Sequence, residues 1–182
     1  YDPDSKTFRQ KLVDALLYNE MPGAARYIGT PVYNSDFENS NDGWSLQNAG
    51  EASAQMSRAN GALHIDIEKA GTEGWHVQLQ KRGFSLNTGK KYRYSFQAKA
   101  DSARSITSYI GMSSSPWSSY SGYNGATLAD TFAVYTFIFD MASTDNNARM
   151  VFDLGHSDVN LSVKNILVEE VTFQPPSVAE NS

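Results

Sequence analysis

The sequence predicts an all-β fold, a two-sheet antiparallel β-sandwich preceded by a short N-terminal helical extension. Three observations predict it. From Val32 onward, apolar and polar residues alternate in many short runs. Turn-forming Asn, Asp and Gly separate those runs. Helical periodicity is confined to residues 1–31. Many short strands beside one lone helix fit a sandwich better than any mixed α/β layer.

Each element follows in order. In "SKTFRQKLVDALLYNEMPG", Phe8, Leu12, Ala15, Leu16 and Tyr18 share one helical stripe. Asp4 or Ser5 caps its start, and Pro22-Gly23 ends it. Residues 1–31 therefore read as a helical linker or the tail of a preceding domain, with a helix packed on the main body as the other option. "ALHIDI" sets Leu63, Ile65 and Ile67 against polar neighbours, and "WHVQLQ" sets Val77 and Leu79 against His76, Gln78 and Gln80. "YRYSFQAKA" alternates Tyr92, Tyr94, Phe96 and Ala98 with Arg93, Ser95, Gln97 and Lys99, a polar face of the ordinary water-facing kind. "SITSYIG", "VYTFIFDM", "RMVFDLG" and "VNLSVKNILVEEV" continue the pattern. Asn41-Asp42-Gly43, Asn60-Gly61, Asn87-Thr88-Gly89 and Asp145-Asn146-Asn147 are the expected turns. The sandwich spans 32–174, and 175–182 is a tail or linker.

Composition narrows the function. Charged residues make up 19% of the chain, below the usual quarter, while Tyr, Ser, Asn and Gly are plentiful. That balance suits a secreted or cell-surface β-protein. The net charge of -5 argues against nucleic-acid binding through phosphates. The absence of Cys excludes disulfides, thiolate nucleophiles and zinc–thiolate sites. No apolar run reaches the ~18 residues of a membrane span. The chain starts at Tyr1 without Met or a signal peptide, as an excised piece of a larger exported protein would.

One stretch stands out. "MSSSPWSSYSGYNG", Met112–Gly125, sets Trp117, Tyr120 and Tyr123 among Ser, Gly and Pro. Rings placed there face solvent, or fold back within their own loop. Two strands carry unusual polar stripes. His76, Gln78 and Gln80 offer neutral planar groups, although a lone His is commonly just a satisfied polar group. Arg149 and Asp153 share one face of "RMVFDLG", opposite Met150, Phe152 and Leu154. Thr107 and Tyr109 share another face. Such groups grip vicinal hydroxyls, often in pairs, and aromatic rings stack on the C–H faces of sugars. A polar floor with aromatic rims would suit a polysaccharide chain. An ordinary solvated face, with Arg149 paired to Asp153, is the alternative. Trp44 follows a turn and reads as a buried anchor; Trp75 fits rim or core.

"NSDFENSNDGWSL" (34–46), "NGALHIDI" (60–67), "GWHVQLQKRGFSLNTGKKYRYSFQAKADSARSI" (74–106), "ARMVFDLG" (148–155) and "VKNILVEEV" (163–171) occur in an order that resembles carbohydrate-binding modules of the family 4/9/16/22 type. These are β-jelly-roll modules of bacterial polysaccharide-degrading enzymes. The resemblance spans about Val32–Phe173. It implies non-catalytic binding of soluble or amorphous β-1,4-linked chains, glucan first and then xylan or mannan, in a groove on one sheet. It also implies a covalently attached catalytic domain and bacterial export. Carried over by position are Trp117, Gln80, Arg149, Asp153 and Gln47; strand parity adds Gln78 and His76, the shared loop adds Tyr120, and Tyr109 and Trp75 complete the expected ligand-binding set. Gln47 stands where some relatives carry an aromatic.

Many relatives hold a structural calcium. Asp36, Glu38 and Gly61 match its ligand positions, but Lys164 replaces the final acid. An ammonium repels a cation, so no metal and no other cofactor is expected, and Lys164 is expected to pair with Glu38. Two other functional classes compete. A jelly-roll glycoside hydrolase needs two facing carboxyl groups, drawn from acids such as Asp66, Glu68, Asp140 or Asp153. A spacer or protein-interaction module would keep the fold without the groove.

Overall fold

The structure, a computed structural model, describes residues 26–176. The helix expected around Phe8–Tyr18 and tail residues 177–182 lie outside the described residues. The described residues form eleven strands: β1 (Arg26–Ser35), β2 (Ser45–Asn48), β3 (Ser53–Ala59), β4 (Ala62–Lys69), β5 (Val77–Leu86), β6 (Lys91–Ala100), β7 (Arg104–Gly111), β8 (Asn124–Leu128), β9 (Ala133–Asp140), β10 (Asp145–Asp153) and β11 (Leu161–Gln174). They make two antiparallel sheets. One runs β3-β4-β11-β6-β9, with β1 also paired to β11; the other runs β2-β5-β10-β7-β8.

Period-two alternation explains the packing. Leu63, Ile65, Tyr94, Phe96, Leu79, Ile110, Met150 and Phe152 all point inward and are fully buried. Phe96 of one sheet meets Phe152 of the other edge-on, with ring centroids 4.8 Å apart. Trp44 is the anchor its turn suggested: it lies 5.7 Å from the Phe152 ring and donates its indole N–H to the Tyr33 hydroxyl at 2.9 Å. The β3–β4 hairpin turns at Asn60 and Gly61, with φ of 52° and 69°. Both are left-handed, as a two-residue turn of this twist requires.

Three expectations need correction. β1 begins at Arg26, ahead of the expected start at Val32. β10 begins at Asp145, so the expected Asp145-Asn146-Asn147 turn is already strand. The Arg93/Ser95 face is not simply water-facing: Ser95 is buried, and Arg93 Nη2 lies 3.0 Å from the buried carboxylate of Glu169. β1 passes so close that a side chain at Gly29 would strike that carboxylate.

At the end nearest the site, Arg104 fixes the loop after β10. Its guanidinium donates to the carbonyls of Leu154 (2.7 Å), Ser157 (3.1 Å) and Val159 (2.9 Å). Burial lowers its pKa to about 10, so it remains charged at neutral pH.

Candidate functional site

Strand register lays three rows of side chains across the outward face of the five-stranded sheet. The first row is Arg82, Arg149 and Gly111. The second is Ser45, Gln80, Val151 and Tyr109; the third is Gln47, Gln78, Asp153 and Thr107. Rows on one face are about 7 Å apart along the strands. Between them lie core rows such as Leu46, Leu79, Phe152 and Ser108. The alternation that sends Met150 and Phe152 inward thus sends Arg149 and Asp153 outward.

Arg149 organises the floor. It is only 4% exposed, yet among the described residues no carboxylate pairs with it directly. Nη1 donates to Gln80 Oε1 at 2.8 Å and Gln78 Oε1 at 3.1 Å. Nε donates to the Met112 carbonyl at 3.0 Å, and Nη2 reaches the Tyr109 hydroxyl at 3.3 Å. Gln78 passes the link on, donating through Nε2 to Asp153 Oδ1 at 2.8 Å. Arg149 and Asp153 are therefore joined through an amide rather than to each other. Burial pushes the Asp153 pKa up, opposed by the Gln78 bond and by the charge of Arg149. Burial, and then the Asp153 charge, push the Tyr109 phenol to about 12.

Aromatic side chains form the rim. Trp117 is 44% exposed, Trp75 54% and Tyr123 62%. The Trp117 ring lies 4.9 Å from Arg149 Cζ and 5.9 Å from Arg82 Cζ. Its loop folds back on the end of β7: Met112 N–H donates to the Ser118 carbonyl and Tyr120 N–H to Ile110, at 2.9 and 2.8 Å. Gly111 permits this, because a Cβ there would sit 2.6 Å from the Ser118 carbonyl oxygen. Trp117 itself has φ of 61°, a left-handed conformation that bulky residues adopt at a cost of about 1–3 kcal/mol. Tyr123 packs edge-on against Tyr109 at 4.8 Å. Trp75 stands on the short 3-10 turn Gly74–His76.

Together these groups enclose a trough of about 580 Å³, lined by Gln47, Trp75, Gln78, Arg82, Tyr109, Pro116, Trp117, Tyr123, Arg149 and Asp153. Seven of these were expected as ligand contacts; Arg82, Pro116 and Tyr123 complete the lining. Tyr123 was visible in the aromatic loop. Arg82 had the signal of parity, two residues after Gln80, but the Gly83 that follows obscured where the strand ends.

Three expected contacts are not part of the lining. His76 precedes the strand, in the 3-10 turn, where Nδ1 accepts the N–H of Thr72 at 3.1 Å. It braces that turn rather than extending the Gln78 stripe. Gln80 shares the face but is 2% exposed, consumed by its bond to Arg149 beneath the surface. Tyr120 packs against the core and donates its hydroxyl to Asp145 at 2.7 Å. That bond and burial raise its pKa to about 12, with burial the larger cause.

The calcium positions converge in part. A Cβ at Gly61 would meet the Glu38 carboxylate at 2.6 Å and the Asp36 carbonyl at 3.2 Å. Lys164 does not pair with Glu38; its ammonium sits 4.1 Å from the Phe132 ring centroid. Arg58 Nη1 instead donates to the carbonyls of Phe37 (3.1 Å) and Glu38 (2.9 Å). No group of three or more His, Cys, Asp or Glu among the described residues could hold a metal ion. Lys164 stands where a further acid would serve a cation, and Arg58 already bonds two carbonyls beside that corner.

The candidate acids are also dispersed. Among the described residues Asp153 is the one carboxylate lining the trough, while Asp66 and Glu68 line a separate depression beside β3 and β4. Among the described residues no helix is long and apolar enough to cross a membrane.

A family profile described as carbohydrate binding domain matches residues 30–160. No curated protein matches the chain. Among solved structures, a CBM4 module is 28% identical with a TM-score of 0.64, covering 78% of this chain and 94% of its own. The second N-terminal cellulose-binding domain of Cellulomonas fimi β-1,4-glucanase C is 19% identical, with a TM-score of 0.62 and coverage of 78% and 95%. The CBM22-1 xylan-binding domain of Paenibacillus barcinonensis Xyn10C is 10% identical, with a TM-score of 0.58 and coverage of 79% and 96%. The last two likenesses concern the fold.

Proposed function

This chain belongs to the carbohydrate binding domain family, and we propose that it holds a soluble or amorphous β-1,4-linked polysaccharide in the trough and so targets an attached polysaccharide-degrading enzyme. The observation that carries the reading is the trough itself. Exposed indoles at Trp75 and Trp117 rim a floor of amide, guanidinium, phenol and carboxylate, fixed before ligand arrives by the Arg149 network. Rings supply stacking area and the floor supplies oriented hydrogen bonds, the usual division of labour in a preformed site. The names of two fold neighbours, a cellulose-binding and a xylan-binding domain, set the ligands to try first.

Binding here breaks no bond. Glycoside hydrolysis needs a pair of carboxyl groups across the scissile linkage, and the trough lining offers only Asp153. The module raises the local concentration of its attached enzyme at the polymer. Arg58, which donates to the Phe37 and Glu38 carbonyls beside the Asp36/Glu38/Gly61 corner, supports a fold made without calcium. Export from a bacterial cell completes the reading, because polysaccharide substrates lie outside it.

The test is isothermal titration against hydroxyethyl cellulose, mixed-linkage glucan, xylan and mannan, with Trp75→Ala/Trp117→Ala as control and a reducing-sugar assay alongside. Binding by the wild type alone, without sugar release, supports the proposal. Sugar release would revive the hydrolase, and binding by neither protein would favour the spacer module.

A further inference from the structure

The first row of the trough floor sets like charges side by side. Arg82 on β5 and Arg149 on β10 are register partners on one face. Like charges directly opposed across an antiparallel pair are destabilising. Among the described residues no carboxylate bonds to either arginine: Arg149 bonds to Gln78, Gln80, Tyr109 and the Met112 carbonyl, and Arg82 Nη1 to the Ser113 carbonyl at 3.0 Å. The Arg149 pKa is lowered chiefly by burial, and Arg82 lowers it further against the opposing pull of Tyr109, Asp153 and Tyr123. Asp153, the one acid of the lining, lies two rows away, in register with Gln78. The trough is thus polarised, cationic under Trp117 and anionic at its third row. It is so in a chain whose net charge is -5.

Arg82 is exposed, and one nitrogen of its guanidinium is engaged. The remaining donors of the fork match a carboxylate in shape and charge. We propose that the Trp117 end of the trough selects polysaccharides carrying a carboxylate, a uronic acid in the chain or branching from it, with Arg82 as the residue that distinguishes acidic from neutral sugars. The inference rests on the trough being the polysaccharide site. Stacking on Trp117 holds the sugar plane while exposed Arg82 and the buried Arg149 beneath it supply a positive field. The neighbouring indole limits the screening that weakens exposed ion pairs.

Matched ligands test this. Xylo-oligosaccharides with and without one glucuronic acid branch form one pair; carboxymethyl and hydroxyethyl cellulose form a second. Affinities are measured by calorimetry at low and high NaCl for the wild type, Arg82→Gln and Trp117→Ala. In at least one pair the acidic member binds the wild type about tenfold tighter at low salt. High salt reduces that ratio, and Arg82→Gln brings it close to one. Equal affinity within both pairs overturns the inference, as does an acid preference that Arg82→Gln leaves intact. Neutral binding that Trp117→Ala weakens, without any acid preference, defeats the inference alone. No binding in either pair defeats it together with the trough reading.

Discussion

Replacing Trp117 by Ala probes the trough where the structure permits a magnitude. Trp117 is 44% exposed, which leaves about 90 Å² of the ~200 Å² an indole can bury. A sugar on the open face covers roughly half to all of that. At about 25 cal/mol per Å², the lost contact is about 1–2 kcal/mol, a Kd about 5- to 30-fold weaker. Fold stability changes little, because the ring lies outside the core cluster and Ala tolerates the left-handed φ no worse than Trp. Calorimetry with the tightest-binding polysaccharide measures the effect, and a melting curve checks the fold. Trp75→Ala, at the opposite rim and 54% exposed, gives a loss of similar size. If both variants melt like the wild type and bind like it, stacking on the rim is not the source of affinity and the reasoning fails.

Four further outcomes are expected. Tyr120→Phe lowers stability by about 1–2 kcal/mol through loss of its bond to Asp145, yet leaves glycan affinity within twofold, as denaturant unfolding and calorimetry will show. Gly111→Ala forces the Ser118 carbonyl away and swings the Trp117 loop, so affinity falls about tenfold while the far-UV spectrum is unchanged. Burial raises the Asp153 pKa above 3.8, so the folded state holds that proton more tightly than the unfolded chain and the ionised carboxylate costs stability at neutral pH. The cost vanishes as pH falls through the folded pKa to 3.8 and below. Asp153→Asn therefore melts higher than wild type at neutral pH and alike below 3.8, and thermal scans across that range read the difference. Chelation with EDTA leaves the melting temperature unchanged, because Arg58 already binds the Phe37 and Glu38 carbonyls; a clear fall would show that a metal is present.

Strands with strict alternation were legible in the sequence, because burial of one face imposes the period that was read. β4, β6 and β10 are examples, and the outward placement of Arg149 and Asp153 follows from the same parity. β2, β3 and β8 were not. Their residues, such as "SLQN" and "NGATL", carry few apolar groups, since edge and rim strands bury little. Trp117 was readable as an exposed ring from its Ser and Pro neighbours. Tyr120 was not separable from Tyr123, because one loop packs the first partly against the core and presents the second. His76 was misplaced by extending strand parity across a turn. The pairing of Arg82 with Arg149 depends on inter-strand register, which local pattern does not encode.

Amide chemical-shift mapping during titration with a bound oligosaccharide tests the central assignment most directly. The account predicts that the largest shifts fall on Gln47, Gln78, Tyr109, Arg149 and Asp153 and on the indole N–H groups of Trp75 and Trp117, with β3 and β4 silent. Shifts concentrated around Gln55, Asp66 and Glu68 on the other sheet would contradict it.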